Sequence, residues 1–359
     1  MHKGSFRFVV VLSVPLALAA ALVSATYHLP LRDPDGVAGP TYVRLPLILL
    51  IAFLADVLPR TFWVARSGNR SVTHLPATFV AVVRKRWPWE HVAFALVGLG
   101  AWYLTYAAFR NLKSFVPFVN RQLWDDTLGA LDRALWLGHD PATVLHALLG
   151  TGWAAHFMSL VYLVWIVFVP VSLVMALVWS RNVTGGAWYV TAIAVDWVLG
   201  VAIYFAVPTL GPIYARPEMF QGLADTAVTD LQGVMIAERL DVLANPFATE
   251  AVQSIAAFAS LHVGIMVTAC LIAELLGMHR LVRIGLWLFL FLTVLSTVYL
   301  GWHYFVDAIG GVALGVAGVW IAAIGTGNHV CGRPKHVTEP DTHHEMSYAA
   351  SRNRLRRLA

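Results

Sequence analysis

Long apolar runs separated by short polar loops dominate this chain, and their lengths set the first expectation. Eight segments approach the ~20 residues an α-helix needs to cross about 30 Å of hydrocarbon. They fall near 6–26, 43–58, 92–109, 153–179, 187–207, 257–277, 283–301 and 304–325, the second and third being short. Between the third and fourth, Trp124-Asp-Asp-Thr-Leu-Gly-Ala-Leu-Asp-Arg-Ala-Leu-Trp-Leu mixes charged and apolar residues at helical spacing. That stretch is too polar to span and reads as an amphipathic helix lying at the membrane interface. From Thr326 the sequence is polar, carries Pro334 and Pro340 and has no periodicity, as in a disordered tail. The pattern predicts an all-α polytopic membrane protein with about eight transmembrane helices. It divides into N-terminal helices with a basic loop (1–110), an interfacial segment (111–151), a main helical bundle (152–325) and a basic tail (326–359).

Charge orients the spans. Arg60, Arg66, Arg70, Arg84, Lys85 and Arg86 follow the second segment; Arg181, His279, Arg280, Arg283 and the tail residues Arg354, Arg356 and Arg357 fall on the same side. The positive-inside rule makes that side cytoplasmic, with both termini inside. The opposite loops, 27–42, 110–152 and 208–256, carry most of the acids, among them Asp125, Asp126, Asp132, Asp140 and Glu238. The alternative for the first segment is a cleaved signal peptide ending at Val23-Ser24-Ala25, which would leave seven spans.

Composition supports the membrane reading. Hydrophobic residues make up 58% and charged residues 13%, against about 25% charged in ordinary soluble domains. The net charge of +5 is spread over loops and tail rather than one face, which argues against a nucleic-acid partner. Cys270, in an apolar run, and Cys331, in the tail, suggest neither a disulfide nor a metal site.

Three polar clusters fall on the outer side of this topology: Pro208 to Pro217, Ser260-Leu-His-Val-Gly264, and Ser296 to Asp307. A histidine and a carboxylate each cost several kcal/mol in hydrocarbon unless paired or wet, so such residues are functional candidates. His303 and Asp307 stand at i and i+4, a spacing at which a carboxylate can hold one ring nitrogen and orient the histidine as a nucleophile or base. Each cluster alone is weak. Their agreement on one face is the stronger signal.

These residues resemble the signature of the type 2 phosphatidate phosphatase superfamily, K-x6-R-P, P-S-G-H and S-R-x5-H-x3-D. Ser260 and His262 match the second motif, Ser296, His303 and Asp307 the third, and Arg216-Pro217 the end of the first. Within the superfamily, Ser-Leu-His and Tyr-Leu-x-x-His-Tyr-Phe-Val-Asp look most like inositol phosphorylceramide synthases. Thr209 and Thr297 stand where the motifs have Lys and Arg. A phosphomonoester is close to a dianion at neutral pH and a diester is a monoanion, so losing two cations tilts the reading toward a phosphodiester donor.

The resemblance implies a phosphatidate-phosphatase-type bundle in which His303, oriented by Asp307, attacks phosphorus and His262 serves as acid and then base. Ser260, Arg216, Thr209, Tyr214 and Ser296, with backbone amides near Gly264 and Gly301, are the candidate substrate contacts, and Arg110 or Lys113 could replace the missing charge. No cofactor is implied. The expected reaction is head-group transfer, with phosphatidylinositol as donor and a lipid or glycan hydroxyl as acceptor, in a bacterial plasma membrane with an extracytoplasmic site. The alternative is a lipid or polyprenyl phosphate phosphatase; a transporter or scaffold without chemistry fits the intact His262, His303 and Asp307 poorly.

Overall fold

A computed structural model describes residues 6–34, 41–67, 72–180 and 182–328. Arg70, Arg181, Cys331 and the tail with Pro334, Pro340, Arg354, Arg356 and Arg357 lie outside the described residues. The architecture is all-helical, with no strand among the described residues. The helices are α1 (Arg7–Tyr27), α2 (Thr41–Ser67), α3 (Leu75–Arg86), α4 (Trp89–Val119), α5 (Asp125–Leu135), α6 (Pro141–Leu149), α7 (Trp153–Val174), α8 (Val183–Ala206), α9 (Pro212–Ala215), α10 (Ala227–Ala244), α11 (Leu261–Leu275), α12 (Arg280–Tyr299) and α13 (Phe305–Thr326). A π-helical turn, Met175–Trp179, extends α7.

Among the described residues, seven helices are long and apolar enough to cross a membrane: α1, α2, α4, α7 with its π turn, α8, α12 and α13. The protein is a multi-pass membrane protein. Helices α2 and α4 run well past the short apolar cores at 43–58 and 92–109, because their flanking polar residues remain helical. The remaining expected span, α11, has 15 residues and reaches only about 22 Å at 1.5 Å per residue.

The height missing from α11 is made up by extended chain. Val252, Gln253, Ile255, Ala257, Ala259 and Ser260 are buried on the way down to it. Irregular backbone is tolerated at membrane depth only where protein satisfies its polar groups. Here the Ala257 and Phe258 amides donate to Thr209 Oγ1 (3.2 and 2.8 Å), and the Ser260 amide donates to the Asp307 carbonyl (3.0 Å). His262 therefore starts its helix inside the bundle.

Helix α8 forms the centre, packed by α1, α4, α11 and α13. Helices α11 and α13 meet through small residues that let backbones approach. A Cβ on Gly315 would lie 2.3 Å from the Gly264 carbonyl oxygen, and one on Gly311 2.4 Å from that of Ser260. Gly315→Val is accordingly expected to destabilise the protein by roughly 2 kcal/mol or more through overpacking, seen as a lower unfolding midpoint in detergent. Gly285→Ala, inside α12 where a Cβ would have nothing within 4 Å, should keep the midpoint at or slightly above that of wild type, because alanine favours a helix interior.

Two buried carboxylates tie helices together away from the motifs. Asp196 of α8 accepts from Thr268 Oγ1 of α11 (2.7 Å) and leaves no room for a side chain at Gly318 of α13. Asp56 of α2 accepts from Arg60 Nε (3.1 Å), Arg86 Nη2 (2.6 Å) and Trp87 Nε1 (3.2 Å). Arg86 and Trp87 thus anchor α2 to the α3–α4 junction, while Arg60 pairs with Asp56 within α2.

Candidate active site

The three polar clusters converge. His303 lies in the short turn between α12 and α13, two residues before α13 begins, and is buried. Its Nδ1 faces Asp307 Oδ2 at 3.2 Å, although His303 itself is not helical. The Tyr304 amide also donates to Asp307 Oδ2 (3.0 Å). A carboxylate at Nδ1 makes Nδ1 the protonated nitrogen and leaves a lone pair on Nε2. That Nε2 lies 2.9 Å from His262 Nδ1. Burial, and secondarily the charge of Lys113, hold the His303 imidazole below its ordinary titration range. That shift favours the neutral ring, the form whose Nε2 lone pair can act as a nucleophile.

His262 is seated by local chemistry. Ser260 caps α11, its Oγ accepting from the Val263 amide (3.4 Å). Trp165 Nε1 donates to the His262 carbonyl (3.1 Å), and the two rings are 4.2 Å apart. Tyr162 packs 5.2 Å from His262 and stacks on Trp302 at 5.0 Å. These aromatics are site residues that sequence reasoning missed. Tyr162 and Trp165 sit in an apolar span, where nothing separates a site aromatic from one facing lipid.

The histidine pair borders a cavity of about 630 Å³. Much of its lining is apolar, including Leu45 and Ile48 of α2, Leu99 and Trp102 of α4, and Val169 and Leu173 of α7. The same lining includes His262 and His303 with Arg110, Lys113, Tyr214, Glu238 and Ser254. Arg110 Nε is buried without a hydrogen-bond partner. Lys113 Nζ lies over the Tyr204 ring at 4.9 Å. Tyr214 donates its hydroxyl to the Gln232 carbonyl (3.2 Å).

Other candidates point elsewhere. Ser296 Oγ donates to the Met158 carbonyl (2.8 Å), and Thr297 Oγ1 bonds back to Thr293 O (2.9 Å) in its own helix. Thr209 Oγ1 holds the descending chain, as described above. The Gly264 amide is bound to the Ser260 carbonyl and that of Gly301 to Val298, so neither amide is free for a phosphoryl oxygen. Gly264 serves helix packing. At Gly301, φ is +74° and a Cβ would strike Phe220 at 2.5 Å, so glycine there shapes the turn. Arg216 does not line the large cavity. Its guanidinium crosses over Gly129 of α5 and pairs with Asp140 (3.4 Å) and more distantly with Asp126 (3.9 Å), beside a small cavity behind His303.

Helix α5 forms where expected, yet one face is not at a surface. Asp125 and Asp132 are buried and accept hydrogen bonds from backbone amides of the first and third clusters. Their i, i+7 spacing was a readable sign of one shared face. In an amphipathic segment that sign equally fits a solvated stripe.

A facing histidine pair, one ring oriented by a carboxylate, is an arrangement that can present a nucleophile and a proton donor to one substrate. A family model described as the PAP2 superfamily matches residues 126–321, more than half of the chain and all of His262, His303 and Asp307. The chain belongs to the PAP2 superfamily. No curated protein and no solved structure matches it. Membership supports a phosphatase or phosphotransferase acting on lipid in a membrane.

Proposed function

We propose that the chain transfers a phosphorylated head group from a lipid phosphodiester to a hydroxyl acceptor through a phosphohistidine on His303. The observation that carries this reading is one cavity whose lining combines apolar residues of α2, α4 and α7 with the His262–His303 pair, Arg110 and Lys113. The apolar lining suits a hydrocarbon chain, and the polar residues suit a phosphoryl group. The two motif cations are replaced by Thr209 and Thr297, whose hydroxyls are spent inside the protein, and Arg216 is paired with acids. The positive charge available to phosphorus reduces to Arg110 and Lys113, which suits a monoanionic diester better than a dianion.

The chemistry runs in two displacements. His303 Nε2 attacks phosphorus, the bond from phosphorus to the lipid oxygen breaks, and His262 gives that oxygen a proton. The acceptor hydroxyl then loses its proton to His262 and attacks phosphorus, and the P–N bond breaks. The resemblance to inositol phosphorylceramide synthases makes phosphoinositol the head group of choice, and Glu238 and Ser254 offer partners for a polyol's hydroxyls. The charge pattern supports an extracytoplasmic site in a bacterial plasma membrane, with both termini cytoplasmic.

Product analysis by mass spectrometry tests the proposal. Purified protein in lipid is offered phosphatidylinositol, phosphatidylglycerol and phosphatidate. Diacylglycerol from phosphatidylinositol, with inositol phosphate on a new product, is the expected result. Free phosphate from phosphatidate with both diesters untouched would instead establish a lipid or polyprenyl phosphate phosphatase. The apolar lining makes its own prediction: Leu99→Trp should lower turnover of long-chain donors roughly tenfold, as a bulk change in an apolar pocket does. Short-chain donors should be unaffected, and equal loss with both would count against a hydrocarbon slot.

A further inference from the structure

We propose that α5 is a positioning element for the nucleophile, its buried carboxylates Asp132 and Asp125 setting the geometry of His303 by holding the backbone around it. The inference rests on the phosphoryl-transfer reading above and assigns roles to residues outside the three motifs.

Helix α13 begins at Phe305, so its first amides lack intrahelical partners. Asp132 takes two of them: Phe305 N donates to Oδ2 (2.7 Å) and Val306 N to Oδ1 (2.8 Å). A carboxylate there is also favoured by the helix dipole. With those amides occupied, Asp307 Oδ2 accepts from the Tyr304 amide and remains directed at His303 Nδ1. Without Asp132, the carboxylate of Asp307, in the first turn of the same helix, becomes an acceptor that can compete for the orphan amides. Its Oδ1, which has no hydrogen-bond partner among the described residues, is the oxygen open to them, and drawing it to those amides would rotate the carboxylate that Oδ2 now aims at the imidazole.

Asp125, one face-repeat earlier on α5, holds the other side of the turn. Its carboxylate accepts from the Leu210 (3.0 Å) and Gly211 (2.9 Å) amides and from the Tyr304 hydroxyl (3.1 Å). The Ile213 amide then donates to the Gly301 carbonyl (2.9 Å), closing the first cluster onto the turn that carries His303. Neither aspartate lines the large cavity. Both act through His303 and are positioning residues.

The test uses the full chain in lipid nanodiscs with labelled phosphatidylinositol. Asp132→Asn removes the charge and one of the two acceptor oxygens. It should lower kcat about 30-fold with KM changed less than twofold, and shift the ¹⁵N resonance of His303 Nδ1 away from its carboxylate-bonded value. Tyr304→Phe, which removes a single hydroxyl, should lower kcat about threefold with the unfolding midpoint retained, keeping the idea testable should Asp132→Asn fold poorly. Asp126→Asn, on the exposed side of the same helix, should match wild type in all three readouts. Unchanged kcat and an unchanged His303 resonance in Asp132→Asn would overturn the proposal. So would equal losses in Asp126→Asn. Should the wild type turn over no lipid phosphate at all, the functional reading falls, and the His303 resonance alone decides whether α5 positions it.

Discussion

His303→Ala is expected to abolish head-group transfer, lowering kcat by about 10⁴-fold or more, the scale seen when a covalent nucleophile is deleted. The expectation follows from the site's division of labour. Nε2 of His303 is the nitrogen left with a lone pair once Asp307 occupies Nδ1, and it points at His262 across 2.9 Å. A phosphoryl group entering between the rings would meet the nucleophile on one side and the proton donor on the other. His262→Ala removes acid–base help alone and should cost less, roughly 10²–10⁴-fold. Donor labelled in the head-group phosphate separates these roles. Wild type should carry acid-labile, base-stable label on the protein, and His303→Ala none. An alanine variant that still takes up such label would remove His303 from the nucleophile's place.

Lys113→Met should lower kcat/KM for the diester donor about 100-fold, and Arg110→Met comparably, while Arg216→Met should stay within roughly threefold of wild type. Charge-assisted contacts to a phosphoryl oxygen are worth a few kcal/mol where water is excluded, and 1.4 kcal/mol is a factor of ten. The motif alone gives the opposite ranking, because Arg216 holds the motif position and the α4 cations do not. The structure reverses it: Arg110 and Lys113 line the cavity with both histidines, whereas Arg216 is engaged with Asp140 over Gly129. Parallel kinetics on the three variants decide the matter. A larger loss from Arg216→Met than from Lys113→Met would return the phosphate to the motif arginine.

Much of this molecule is legible without coordinates, for a local reason. Hydrocarbon enforces helices wherever apolar runs are long enough, so every expected span became a helix, and α1, α12 and α13 lie close to their apolar runs. The His303–Asp307 contact lies four residues apart, so spacing anticipates it. Legibility fails where a feature depends on partners remote in sequence. α11 is shorter than its apolar run because Thr209 and Asp307 satisfy the extended chain before it. The polar residues of α5 read as a wetted stripe because their partners, Leu210, Gly211 and Tyr304 to Val306, lie 85 to 179 residues away.

The sequence by itself determined the membrane class, the all-helical architecture and the three polar clusters that hold the histidine pair, since each rests on hydropathy and spacing within a single segment. Tertiary structure alone decided which charges face the cavity. Arg110 and Lys113 were brought in from α4, Arg216 was drawn off by Asp140, and Asp125 and Asp132 were buried beneath the turn that carries His303. The physical reason is that a side chain's charge is set by its type, but whether it is paired, buried or free to meet a ligand depends on what the fold packs against it.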